Sequence, residues 1–423
     1  MSVGARLSET PAGIRVVTET VPDMRSVALG FWVRTGSRDE SESEAGVSHF
    51  LEHLLFKGTP ELSAVEISEL LDGIGAQFNA FTSKEATHLY ARFLDRHLDR
   101  AFEVLGDMIL TPTLDEIDSE RQVVIEEIAM YGDDPDSIAH DLIAEAVFGD
   151  TPLGRPIIGT AEVIGSISKE RIRDYHDARY RGSTIVISAA GNVDHDQLVA
   201  LASRLTPESG NTVEPPAAEP ADRGPVKAFE KETEQYHLVV GTPGIDRADD
   251  RRFSLAILDS ILGGSASSRL FTKIREERGL AYSVGTYAEQ YSDTGLFAIH
   301  AGTRGENLGE VCEILAEEMR RITTVAPGAE EVERAKELVK GRLVLAEESN
   351  AARMSRIGRA VLHGLPILSL DEMLDRIDAV GEEDVLSLAE EILGRVPPSS
   401  ACVGPDTELI AEATSVLVGV TAA

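Results

Sequence analysis

The sequence predicts two α+β domains of similar fold joined by a linker, and three observations carry that prediction. The chain has 423 residues, 42% hydrophobic and 27% charged, a globular composition long enough for two or three domains. Near its middle, 206–225 reads TPESGNTVEPPAAEPADRGP, rich in Pro, Ala and Glu and almost without large apolar residues, as linkers are. The same order of expected elements runs on either side of that segment.

In the first half, the β-branched and aromatic run VALGFWVR predicts a strand over 27–34, with a polar turn after it. An apolar helix follows over 46–57. Alternating residues with Gly, Asn, Thr and Ser predict strands within 74–94. Amphipathic periodicity predicts helices over 96–109 and 114–131. Ser168 with the Lys-Glu behind it opens a late helix, and TIVIS at 184–188 closes the half as a strand. The second half repeats the order: a strand from His237, a helix over 253–262, strands within 280–302, helices over 305–322 and 329–348, a late helix opening at Gly381, and a closing strand at 400–403. The expected domains are 1–205 and 226–423, with 206–225 between them.

Forty Lys+Arg against 73 Asp+Glu give a net charge of −33, which excludes the basic footprint of a nucleic-acid binder and favours basic, extended peptides as ligands. Two cysteines, Cys312 and Cys402, make neither a disulfide framework nor a cysteine zinc site. The first residues lack the apolar core of a signal peptide, and no run is long and apolar enough to span a membrane. A reducing cytoplasm is expected.

The sharpest motif is GVSHFLEHLLF at 46–56. At 100° per residue, His49, Glu52, His53 and Phe56 share one arc of the helix. The remaining positions are nearly all apolar, which predicts a buried helix. Two imidazoles and a carboxylate on such a helix are costly unless they bind something. Histidines at i and i+4 can share one Zn²⁺, and Glu52 between them can take a proton from a bound water. The order H-x-x-E-H is a zinc-peptidase signature. His88, His97, His140, His176, His195, His237, His300 and His363 show no such pairing and read as surface or satisfied histidines.

A catalytic zinc takes three protein ligands. On the helix over 114–131, Glu120 and Glu127 share a stripe with Ile117, Val124 and Tyr131, while Glu126 falls with Asp115, Asp118, Ser119 and Gln122 on the polar face. Two acids on an apolar stripe are candidates for the metal. The alternative is that they pair with arginines such as Arg92 or Arg100.

With Glu127 inside ERQVVIEEI, the histidine motif resembles the M16 (pitrilysin, inverzincin) zinc metallopeptidases, in the bacterial, processing-peptidase-like, short-chain branch. FNAFTSKEAT at 78–87 is similar to that family's active-site edge strand. GGSASSRLF at 263–271 and IREERGLAYS at 274–283 are similar to its second-half signature. The resemblance implies that His49, His53 and Glu127 ligate zinc, that Glu52 is the general base, and that Glu120 orients the zinc site. It implies that Asn79, Ala80 and Phe81 hold the substrate, that Arg275 and Tyr282 contact the substrate carbonyl, and that a homodimer closes the chamber. Each domain is then expected to be a mixed, mainly antiparallel sheet with helices on one face. The second, with ILDSIL where the first has its histidines, keeps the fold without the metal. The expected activity is zinc-dependent hydrolysis of unfolded or extended peptides. The alternative is a non-catalytic or weakly active partner subunit of the same family.

Overall fold

The computed structural model describes residues 3–207, 216–218, 220 and 224–420. It contains two compact units, each assembled from three stretches of chain. The first comprises Met1–Ala129, Pro156–Pro216 and Val344–Ser369, the second Met130–Arg155, Ala217–Leu343 and Leu370–Ala423. These units do not follow the sequence division at 206–225, most of which lies outside the described residues.

The first unit is built on a six-stranded sheet of β1 (Val3–Glu9), β2 (Arg15–Thr20), β3 (Ser26–Val33), β4 (Gln77–Thr82), β5 (Thr87–Leu94) and β6 (Ile185–Gly191). Their order is β1-β2-β6-β3-β5-β4, so β4 is an edge. Only β2 and β6 run parallel. In β3 the two-residue repeat sends Val27, Leu29, Phe31 and Val33 into one core and Ala28 and Trp32 into another. The first core is filled by α1 (Val47–Leu55), α2 (Ala64–Gly73), α3 (Leu98–Leu110) and α4 (Ile117–Asp133), through Phe50, Leu54, Ile67, Leu71, Phe102, Leu105 and Val124. The long periodic helices thus lie on one face, as expected. The opposite face is not bare. It is covered by the helix Asn350–Leu362, whose Met354, Ile357 and Val361 pack on Ala28, Trp32 and Val186.

That helix is fastened by charge as well as by apolar contact. Arg353 and Arg356 both reach Glu19 of β2, which is 3% exposed, and Arg356 also bonds Glu347 at 2.7 Å. Asn350 Nδ2 donates to the Ser26 carbonyl at 3.1 Å. Gly30 of β3 must be glycine here, since a Cβ would lie 2.6 Å from both His88 Nε2 and Met354 Sδ.

The second unit repeats the scheme with β7 (Val226–Glu230), β8 (Tyr236–Gly244), β9 (Ala281–Gln290), β10 (Gly295–Thr303) and β11 (Ser399–Gly404) in the order β7-β11-β8-β10-β9. Again one pair, β7 with β11, is parallel. The helices Arg252–Leu262, Gly305–Thr324 and Ala329–Ala346 fill one face. The other is covered by α5 (Pro135–Phe148), with Ala139, Ile143 and Val147 on Val239, Leu296 and Val403. Each sheet is therefore completed by a helix from the other half of the sequence.

Two helix ends differ from the periodicity. The stripe over 114–131 suggested a helix from Leu114, but Leu114 has φ 57 and α4 begins only at Ile117. Left-handed backbone cannot continue into a right-handed helix. At the other end Tyr131 is 46% exposed, so the stripe leaves the core before the helix stops.

Candidate metal centre

Helix α1 starts where Gly46, at φ 94, turns the chain. The buried Glu40 carboxylate accepts from the Gly46 and Ser48 backbone N–H groups, each at 2.7 Å, and satisfies two of the donors that a helix start leaves open. Val47, Phe50, Leu51, Leu54 and Leu55 are buried. His49, Glu52 and His53 share the remaining side, but the helix is not enclosed all round as its composition suggested. The His49 and His53 side chains keep 14% and 22% of their surface. The motif faces a half-open site.

Helix α4 crosses this face, anchored by Ile117 and Val124 in the core and by Arg121, which donates to the Ile164 and Ile167 carbonyls. It brings Glu127 Oε2 to 3.3 Å from His53 Nε2 and 3.7 Å from His49 Nε2. Among the described residues, His49, His53 and Glu127 are the one group of three or more metal-ligating types that converges, with one atom from each within 4.8 Å of the others. Donors on a tetrahedral zinc with bonds of about 2.0–2.1 Å stand about 3.3 Å apart, so the spacing fits, and two imidazoles with one carboxylate are a donor set zinc uses. Burial, then the neighbouring His53, push the His49 imidazole down to about 4, which leaves it neutral at physiological pH as a ligand must be. Glu126, one residue from Glu127, is exposed.

Glu120 is 4% exposed and pairs with no arginine among the described residues. Arg92 donates to Gln77 and Arg100 pairs with Glu103. Glu120 Oε1 instead accepts from His53 Nδ1 at 2.8 Å, and Oε2 lies 2.6 Å from the Lys57 ammonium. An ionised carboxylate can only accept there, so Nδ1 is the donor in this bond and Nε2 is the ring nitrogen turned towards Glu127.

Glu52 Oε2 accepts from the Thr82 hydroxyl at 2.6 Å. Burial raises the Glu52 carboxyl above its ordinary range, and the Thr82 bond opposes that shift. Thr82 ends β4, the strand that carries Asn79, Ala80 and Phe81. The outer side of β4 has no partner strand among the described residues. Ala80 is buried and Phe81 is 38% exposed. The Ala80 N–H is held by Asn79 Oδ1 at 2.9 Å. Thr82 and Lys57 were missed in the sequence, because each acts on a residue far away along the chain.

Arg275 and Tyr282 belong to the second unit and meet each other there. The guanidinium lies 4.4 Å from the Tyr282 ring centroid, and its Nη1 donates to the Tyr282 carbonyl at 3.0 Å. Tyr282 is 76% exposed and not a core residue. The helix Arg252–Leu262 carries Asp259 in place of a histidine pair, bound to Thr286 Oγ1 at 2.6 Å. His88 is not the satisfied histidine that was expected. It is 1% exposed, and neither ring nitrogen has a hydrogen-bond partner among the described residues.

Known proteins share both the sequence and the fold. The family model described as Insulinase (Peptidase family M16) matches residues 15–161, and that described as Peptidase M16 inactive domain matches 166–339. An uncharacterized zinc protease of Streptomyces coelicolor is 41% identical over 411 residues, covering 95% of this chain and 89% of that protein. One of Bacillus subtilis is 41% identical over 382 residues, covering 90% and 93%. Two solved structures share the fold. A peptidase M16 inactive domain from Pseudomonas fluorescens has TM-score 0.87 at 21% identity, over 96% of this chain and 99% of that one. A protease from Helicobacter pylori has TM-score 0.88 at 19% identity, over 95% and 99%. Two family models in tandem, and relatives alike from end to end, extend the likeness of the histidine helix to nearly the whole sequence: the chain belongs to peptidase family M16.

Proposed function

We propose that the chain is a zinc-dependent peptidase acting on unfolded or extended peptides. The observation that carries this is the convergence of His49, His53 and Glu127 with Glu52 on the same face of α1. His49 Nε2, His53 Nε2 and Glu127 Oε2 would hold the zinc. Bound zinc supplies a Lewis acid for the scissile carbonyl and acidifies a water towards neutrality. Glu52 keeps Oε2 on Thr82, so Oε1 is the atom that accepts a proton and returns it to the leaving amine. The open edge of β4 suits backbone pairing with a peptide, which would take the Ala80 N–H from Asn79 Oδ1. Phe81, exposed beside it, gives a side chain an apolar surface.

The finer assignments rest on the resemblance and on charge. Arg275 and Tyr282 would stabilise the developing oxyanion, supplied by a second copy in a homodimer. The net charge of −33 favours basic peptides, at rates that fall as salt rises. Cys312 and Cys402 are free and buried, which suits a reducing, cytoplasmic setting. The test is a quenched extended peptide with wild type and Glu52→Gln at equal zinc content. Loss of about 10²–10⁴-fold in turnover is expected for a missing general base. A wild type that holds zinc and cleaves nothing favours the non-catalytic partner instead, and a variant keeping more than half the activity means that Glu52 is not the general base.

A further inference from the structure

Lys57 lies just beyond α1, four residues after His53 and on the same side of the chain. One Glu120 carboxylate spans the two, with Oε1 on His53 Nδ1 at 2.8 Å and Oε2 on the Lys57 ammonium at 2.6 Å. The terminal torsion of a glutamate is broad, so a carboxylate held at one oxygen can swing. The second anchor removes that freedom. Arg121, next to Glu120 in sequence, is turned to backbone carbonyls and does not supply it. Fixing Glu120 fixes the His53 ring in turn, because the bond at Nδ1 sets where Nε2 points.

We infer that Lys57 is a positioning residue of the metal centre, acting through Glu120 to hold His53 Nε2 towards Glu127 and the cation. Lys57 touches neither the cation nor a substrate. The inference rests on the zinc reading above.

The test is zinc affinity of the full chain, measured by competition with a chelating dye and without any peptide. Wild type is compared with Lys57→Met, Lys57→Arg, Glu120→Gln, the double variant Lys57→Met/Glu120→Gln, and His53→Ala. Partners of ligating histidines commonly contribute 10–100-fold to metal affinity, so Lys57→Met is expected to bind about tenfold more weakly. Lys57→Arg offers the same carboxylate a charged donor and is expected within about threefold of wild type. The double variant is expected to match Glu120→Gln, since Lys57 acts only through that residue. A general structural defect would weaken both backgrounds by the same factor, which overturns the inference. So does a Lys57→Met protein that binds zinc as wild type does. If Lys57→Met does not fold, Lys57→Gln carries the same expectations. A wild type that binds zinc no better than His53→Ala refutes the zinc reading itself. Tight wild-type binding, lost in His53→Ala and unchanged in Lys57→Met, refutes only the role of Lys57.

Discussion

Lowering the pH from 7.5 to 5.5 will destabilise the first unit, and His88 accounts for a defined share of the loss. Its ring lies flat on Trp32 with centroids 3.4 Å apart, beside Tyr90 and under the helix Asn350–Leu362. Burial holds its pKa well below the ordinary histidine value, and the positive charge of Arg359 adds to the shift. Above about pH 6.5 the ring is neutral in both folded and unfolded chains and contributes no pH dependence. Below it the unfolded chain binds a proton that the folded one does not, so stability falls until the depressed pKa is reached. The loss is about 1.4 kcal/mol at pH 5.5, or about 3–6 °C in melting temperature for a unit of about 200 residues. The measurement is thermal unfolding of wild type and His88→Phe at both pH values. Crowding against Gly30 can lower the variant's baseline, but the comparison is made within each protein. His49 and His195, also held below their ordinary value mainly by burial, contribute equally to both. Wild type should lose about 3–6 °C more than the variant. Equal losses would mean that folded His88 takes up its proton, and the argument from burial would be wrong.

Three further outcomes are expected. Glu127→Gln should lose zinc on dialysis while Glu126→Gln keeps it, read by metal analysis of the purified proteins; the reverse would mean that the stripe on α4 was misread. Thr82→Val should lower kcat about tenfold or more with KM and zinc content unchanged, and Thr82→Ser should recover most of it, because a hydroxyl bonded to a carboxylate is worth more than a neutral pair. Glu19→Gln removes the acid shared by Arg353 and Arg356 and should cost about 3–5 kcal/mol, seen as a melting temperature lower by about 6–20 °C; a change under about 2 °C would mean that Glu347 alone holds both arginines.

The parts of the site that were legible lie within one helix or one stripe. His49, Glu52 and His53 fall together because a helix repeats every 3.6 residues, and the same rule separates Glu127 from Glu126. Thr82 on Glu52, and Lys57 on Glu120, were not legible, because tertiary packing and no local period brings them together. The strand at 27–34 was read from an unbroken β-branched and aromatic run, the pattern of a strand covered on both faces, and those within 74–94 were read from alternation. That double covering is also why His88 was misjudged: Arg92 and Leu94 on the same face of β5 reach water, but at the His88 end the ring is enclosed by Trp32, Phe81 and Tyr90. The helices α5 and Asn350–Leu362 went unread although each opens on a capping residue, Asp134 and Ser349. Their apolar faces match sheets formed mostly by the other half of the sequence.

That exchange has a consequence for how the protein comes to exist. While the chain is being made, β3 and β6 are complete long before residues 350–362 emerge, and Ala28, Trp32 and Val186 have no cover in the interval. A piece ending near residue 205 would carry the whole histidine helix and α4 and still present that apolar sheet face to water. Completion of the unit that carries the histidine helix is thus tied to synthesis of the other half of the sequence. A premature stop or a frameshift that removes residues 350–362 would leave an adhesive fragment rather than a smaller folded protein.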